Sequence, residues 1–137
     1  ETGGNIATGD SNVLIGSYAG QNLNAASHSN VLIGYGAGNG ASVNAANKNH
    51  AMGYDSLGAL TTGAQNIAIG YQSGNNITSG DNNVVIGNAD VASATGDDQL
   101  SISSGDGGVT WITGDSNGGI ASKAQVVAPV PVTTEVK

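Results

Sequence analysis

Tyrosines, two histidines and a scatter of aspartates are the residues of this chain whose chemistry could serve a ligand. Tyr35, Tyr54 and Tyr71 each directly follow the glycine of one recurring motif, so they are expected to stack into a column. An aromatic column on a surface can bind sugar rings, which makes these three candidate glycan contacts. The competing expectation is a packing or solvent-edge stripe between subunits. His28 and His50 are the only histidines and there is no Cys, so a zinc site lacks ligands within one chain. His50 replaces an apolar residue of the motif, and three copies sharing an axis would bring three imidazoles together as a metal or anion site. A solvent-facing or neutral packed histidine is the plainer expectation, and no metal is assigned. The aspartates mostly adjoin glycine, as at Gly9-Asp10, Gly80-Asp81, Gly96-Asp97, Gly105-Asp106 and Gly114-Asp115. That is a turn pairing. Neither the calcium loop of an EF-hand nor a Gly-Gly-x-Gly-x-Asp repeat is present. No Ser-His-Asp constellation, nucleophile elbow or carboxylate pair stands out, so neither an enzyme nor a cofactor is expected. Thr is not periodic, as ice binding would require.

What must position these residues is a repeat. Asn12-Val13-Leu14-Ile15-Gly16 returns as Asn30-Val31-Leu32-Ile33-Gly34, Asn49-His50-Ala51-Met52-Gly53, Asn66-Ile67-Ala68-Ile69-Gly70 and Asn83-Val84-Val85-Ile86-Gly87, at intervals of 17–19 residues. A short fixed period implies a stacked, one-dimensional architecture. The apolar run is too short for a helix and rich in β-branched residues, so it reads as a strand. Alternation puts Val13 and Ile15 on one face and Leu14 on the other. Both faces are apolar: Leu14, Leu32, Ala51, Ala68 and Val85 against Ile15, Ile33, Met52, Ile69 and Ile86. A strand buried on both sides belongs to a parallel sheet covered on each face. One coil can cover only one face with its own chain, so another subunit is needed. The Leu14–Val85 side is taken as the one that sister chains complete. A second, weaker strand is expected around Leu23, Val43, Leu60 and Ile77, with tight bends at Ala19-Gly20, Ala37-Gly38 and Ser73-Gly74. The invariant Asn12, Asn30, Asn49, Asn66 and Asn83 are expected to form an amide ladder along the stack.

Composition agrees with thin layers rather than one central core. The chain has 137 residues, 23 Gly, no Phe and one Trp. Net charge is −7 with three Lys and no Arg, which excludes a phosphate-backbone binder and electrostatic attachment to an anionic membrane. No apolar run has the length of a membrane span. A lone roll with so little apolar mass should be marginal, since each buried Ile or Leu contributes roughly 1.5–3 kcal/mol against a large ordering entropy.

Three regions follow: a β-roll over 5–97, a β-hairpin cap over 98–122 and an extended arm over 123–137. Leu100–Ser103 and Val109–Thr113 alternate around the turn Gly105–Gly108, which is a hairpin signature. Ile120 and Ala121 open a last short strand, and Trp111 is expected to seal the end of the roll. Pro129 and Pro131 disfavour helix and central strand in the arm, which a neighbouring chain is expected to hold. No chaperone segment follows, which suggests a mature product or a fragment.

The copies, best in Asn66-Ile67-Ala68-Ile69-Gly70-Tyr71-Gln72-Ser73-Gly74, resemble the repeats of trimeric autotransporter adhesin heads and, more closely, those of phage tail-fibre and related virion-fibre proteins. The resemblance covers roughly residues 5–97. It implies a homotrimer of parallel β-rolls around a three-fold axis, left-handed in the adhesin heads, at a virion surface. It also implies host attachment by multivalent display, with a host-surface glycan or receptor protein and neighbouring fibre or capsid subunits as partners. The long period and the irregular His50–Met52 copy favour the virion fibre over the alternative, the head of a bacterial surface adhesin. A ligand-free capsid-decorating or spacer trimer would use the same fold.

Overall fold

Each Asn-led triplet is extended, and each is held to three residues by the backbone on either side. The residue before the Asn is left-handed in every copy (Ser11, Ser29, Lys48, Gln65 and Asn82, φ 58–61°), and the motif glycine that follows has φ 96–141°. Chain direction therefore changes at both ends of every triplet. The computed structural model of the protein describes residues 9–40 and 45–122. The triplets form β1 (Val13–Ile15), β2 (Val31–Ile33), β3 (His50–Met52), β4 (Ile67–Ile69) and β5 (Val84–Ile86). They pair in parallel and in register, Leu14 on Leu32, Leu32 on Ala51, Ala51 on Ala68 and Ala68 on Val85. The result is an all-β parallel solenoid of about five turns.

A sixth strand, β6 (Leu100–Ser103), joins β5 in parallel, with Val84 beside Leu100 and Ile86 beside Ile102. The same strand then pairs antiparallel with β7 (Thr110–Gly114), and β7 with β8 (Ile120–Ser122). Leu100–Ser103 thus ends the parallel stack and begins the hairpin, and one sheet runs from β1 to β8 in chain order.

Among the described residues the expected second strand is reduced to a single bridge residue, Leu23, and no coil has a full second strand. After the motif glycine the chain takes left-handed residues two and four positions on, at Tyr18 and Gly20, Gly36 and Gly38, Asp55 and Leu57, Gln72 and Gly74. These alternations coil the segment into turns where an extended run would need β dihedrals throughout. The apolar part of the expectation holds in space: Leu23, Leu60 and Ile77 are fully buried, and so are the bend residues Ala19, Ala37 and Ser73. Val43 lies outside the described residues.

The core sits between the strands and these turns. Leu32, Ala51, Ala68 and Val85 are buried there with Leu23, Leu57, Leu60 and Ile77, and Leu14 packs against them. The Leu14–Val85 side is therefore covered by the chain's own turns, which corrects the assignment of that side to sister chains. The opposite side is the open one. Val13, Ile15, Met52, Ile67, Ile69 and Ile86 are exposed there. The reason is geometric: the return path of each coil closes on the central residue of the triplet, and its two flanking residues point away. Trp111 is a second correction. It is 51% exposed and seals nothing, because β7 extends the sheet past the last coil, where no further turn covers it.

Candidate functional site

The motif glycine brings the tyrosines together. A Cβ at Gly34, Gly53 or Gly70 would fall onto the carbonyl oxygen of the next motif glycine, so only glycine lets successive coils approach here. The residue that follows is then carried into one line along the stack. Backbone bonds fix the spacing, from Gly36 N–H to the Ser17 carbonyl at 3.0 Å, Asp55 N–H to Tyr35 at 2.8 Å and Gln72 N–H to Tyr54 at 2.8 Å. Tyr35 and Tyr54 stack with centroids 5.4 Å apart and planes 6° from parallel; Tyr54 and Tyr71 stack at 5.2 Å and 10°. The three predicted residues do form a column.

A fourth ring completes it. Tyr18 lies edge-on to Tyr35 at 5.2 Å and 76°. Sequence reasoning missed it because it stands one residue later, behind Ser17, and reaches the column through its left-handed backbone. The four rings are 38–52% exposed. Their hydroxyls hydrogen-bond no other described residue.

Beneath the surface, the asparagines form the expected ladder. The Oδ1 of each accepts the backbone N–H of the next Asn, from Asn12 to Asn30 at 3.0 Å, Asn30 to Asn49 at 2.9 Å, Asn49 to Asn66 at 3.0 Å and Asn66 to Asn83 at 2.9 Å. It also accepts the next Nδ2–H at 3.0–3.3 Å. The Nδ2–H of each donates to the carbonyl three residues before the next rung: Ser27, Ala46, Gly63, Gly80 and Gly96. Gln99, which the five-copy motif did not include, is the sixth rung, with its N–H on Asn83 Oδ1 at 2.9 Å and its Nε2–H on Gly96 at 2.7 Å. Its signal was an amide 16 residues after Asn83, just before the apolar Leu100. No buried side-chain polar atom is left without a partner among the described residues. The ladder is structural and closed to ligands.

The histidines are apart. His28 Nδ1 accepts the Asp10 N–H at 3.0 Å, and its own N–H donates to Asn47 Oδ1 at 2.6 Å. His50 stands on the open face, in register between Val31 and Ile67. Among the described residues no group of three His, Cys, Asp or Glu is placed to hold a metal ion. The aspartates work in turns: Asp81 Oδ1 takes the Ala64 N–H at 2.7 Å, and Asp97 Oδ1 takes the Asp81 N–H at 2.8 Å. In the β6–β7 turn, Asp106 Oδ1 accepts Ser104 Oγ–H at 2.5 Å and Gly108 N–H at 3.0 Å. The hydroxyl bond, then the amide bond, hold its carboxyl below the usual value of 3.8.

Two surfaces remain that could meet a partner. One is the tyrosine column. The other is the open face, where the Ile15, Ile33, Met52, Ile69 and Ile86 row runs beside Val13, Val31, His50, Ile67 and Val84. It continues onto the terminal strands through Ile102 opposite Ile112. No family model, curated protein or solved structure matches the chain.

Proposed function

We propose that this chain is a module of a homotrimeric fibre at a virion surface, a tail or capsid fibre, serving host attachment by multivalent display. The open apolar face carries the reading. Two in-register rows of Val, Ile and Met cross five parallel strands, and His50 is their only ionisable residue. A parallel sheet is stable in water when both faces are covered, and here the chain covers one. Large contiguous apolar patches are uncommon on monomers and mark interaction surfaces. Copies of the same chain are the occupant of choice, because identical rows with one repeat spacing match along their whole length. Three sheets around one axis then bury all three open faces. Three outward surfaces engaging repeated receptors gain avidity without a strong individual site.

The resemblance of the Asn66–Gly74 copy to virion-fibre repeats supports a virion as the setting of this assembly, with neighbouring fibre or capsid subunits at its ends. The exposure of the tyrosine column favours an attachment module over a ligand-free spacer. The test is solution mass by light scattering across a dilution series. Three times the chain mass, held on dilution, is the expected result. A compact monomer at all concentrations removes the basis of this reading.

A further inference from the structure

The tyrosine column has a periodicity of its own, and that periodicity selects a ligand. We infer that Tyr18, Tyr35, Tyr54 and Tyr71 form a binding rail for an extended, equatorially linked polysaccharide, of the β-1,4-glucan type, lying parallel to the solenoid axis. This deepens the attachment reading above by naming the ligand class, yet each rail lies on one chain.

The rings from Tyr35 to Tyr71 turn their faces to one another, with planes within 10° of parallel. A ligand therefore meets ring edges and hydroxyls, one set per coil, every 5.2–5.4 Å. An extended peptide presents side chains on one face about every 6.6 Å, so it loses register with the rail within two or three coils. A nucleic-acid strand advances about 3.4 Å per charge and is repelled by a chain of net charge −7. An extended β-1,4-linked pyranose chain advances one sugar by close to one coil. Each sugar can then hydrogen-bond through one hydroxyl to one phenol and rest in van der Waals contact against the ring edges. The rail is also pre-organised: its backbone rungs at 2.8–3.0 Å and its mutual stacking hold the rings before any ligand arrives, which lowers the ordering cost of binding.

Calorimetric titration of the full chain with cellohexaose, cellobiose and maltohexaose tests this. Cellohexaose is expected to bind at least about tenfold more tightly than cellobiose, because it spans all four rings, and the curved α-linked maltohexaose is expected not to bind. Tyr54→Phe keeps the stack and removes one hydroxyl, and should weaken cellohexaose about 2- to 10-fold with an unchanged circular dichroism spectrum. No binding of cellohexaose, equal binding of maltohexaose, or an unaffected Tyr54→Phe variant overturns the proposal. Light scattering on the same samples separates the two readings: a trimer that ignores cellohexaose defeats the rail alone, and a monomer that binds it defeats only the assembly.

Discussion

At the scale of single residues, the asparagine rungs and the Asp106 turn show how differently two polar side chains can serve one fold. Asn66 is fully buried and its side chain answers for four partner groups, the N–H and Nδ2–H of Asn83, the carbonyl of Gly80 and Asn49 Oδ1. Asn66→Ala leaves buried groups unpaired and is expected to cost about 2–5 kcal/mol in urea unfolding. Asn22→Ala, which removes a half-buried bond to Asn39 Oδ1 at 3.1 Å, should cost under about 1 kcal/mol. Asp106 acts in solvent. Its carboxyl is held below its ordinary value in the folded turn, so its contribution is present above that ordinary value and is lost as pH falls through the lowered folded one. Protection of the Gly108 amide, its exchange rate taken relative to the intrinsic rate at each pH, should therefore fall as the pH drops below the usual carboxylate range. Asp106→Asn, which keeps an acceptor oxygen but does not titrate, should flatten that dependence.

At the scale of the coil, the first three repeats show how volume is shared between strand centre and turn. Where the centre is leucine, as at Leu14 and Leu32, the turn position four residues after the motif glycine is Gly20 or Gly38, and a Cβ there would strike those leucine side chains. In the third coil the centre shrinks to Ala51 and the turn position becomes Leu57, fully buried although its φ is 54°. A leucine in the left-handed region costs about 1–2 kcal/mol, which filling the core offsets. This predicts a compensated swap. Ala51→Leu should overpack the coil by about 1–3 kcal/mol, and Leu57→Gly should open a cavity costing about 3–5 kcal/mol. The double variant should recover more than 1 kcal/mol relative to their sum in denaturant unfolding. Strict additivity would show that the two side chains do not share one space.

For the whole molecule, the open face governs what the chain can become. Ile69 is 42% exposed at the middle of that face and makes no part of the internal core. Ile69→Lys should leave the circular dichroism spectrum of the coil intact while reducing the light-scattering mass to that of a single chain. Ala68→Lys, one residue away but turned inward and fully buried, should instead abolish folding. The contrast tests which side of the sheet faces partners.

The solenoid, the in-register triplets, the amide ladder and the line of Tyr35, Tyr54 and Tyr71 were all legible in the residues, because each depends on one position recurring at one interval. What stayed hidden was dihedral and directional. Nothing in a side-chain pattern announces that Tyr18, Asp55, Leu57 and Gln72 sit in the left-handed region, and those angles turned the expected second strand into turns and brought Tyr18 into the column. Alternation separated Ile15 from Leu14 but could not say which of two apolar sides the chain would cover. Only the closed return path decided that, since its turns come to rest on the central residue of each triplet and leave the flanking pair to solvent.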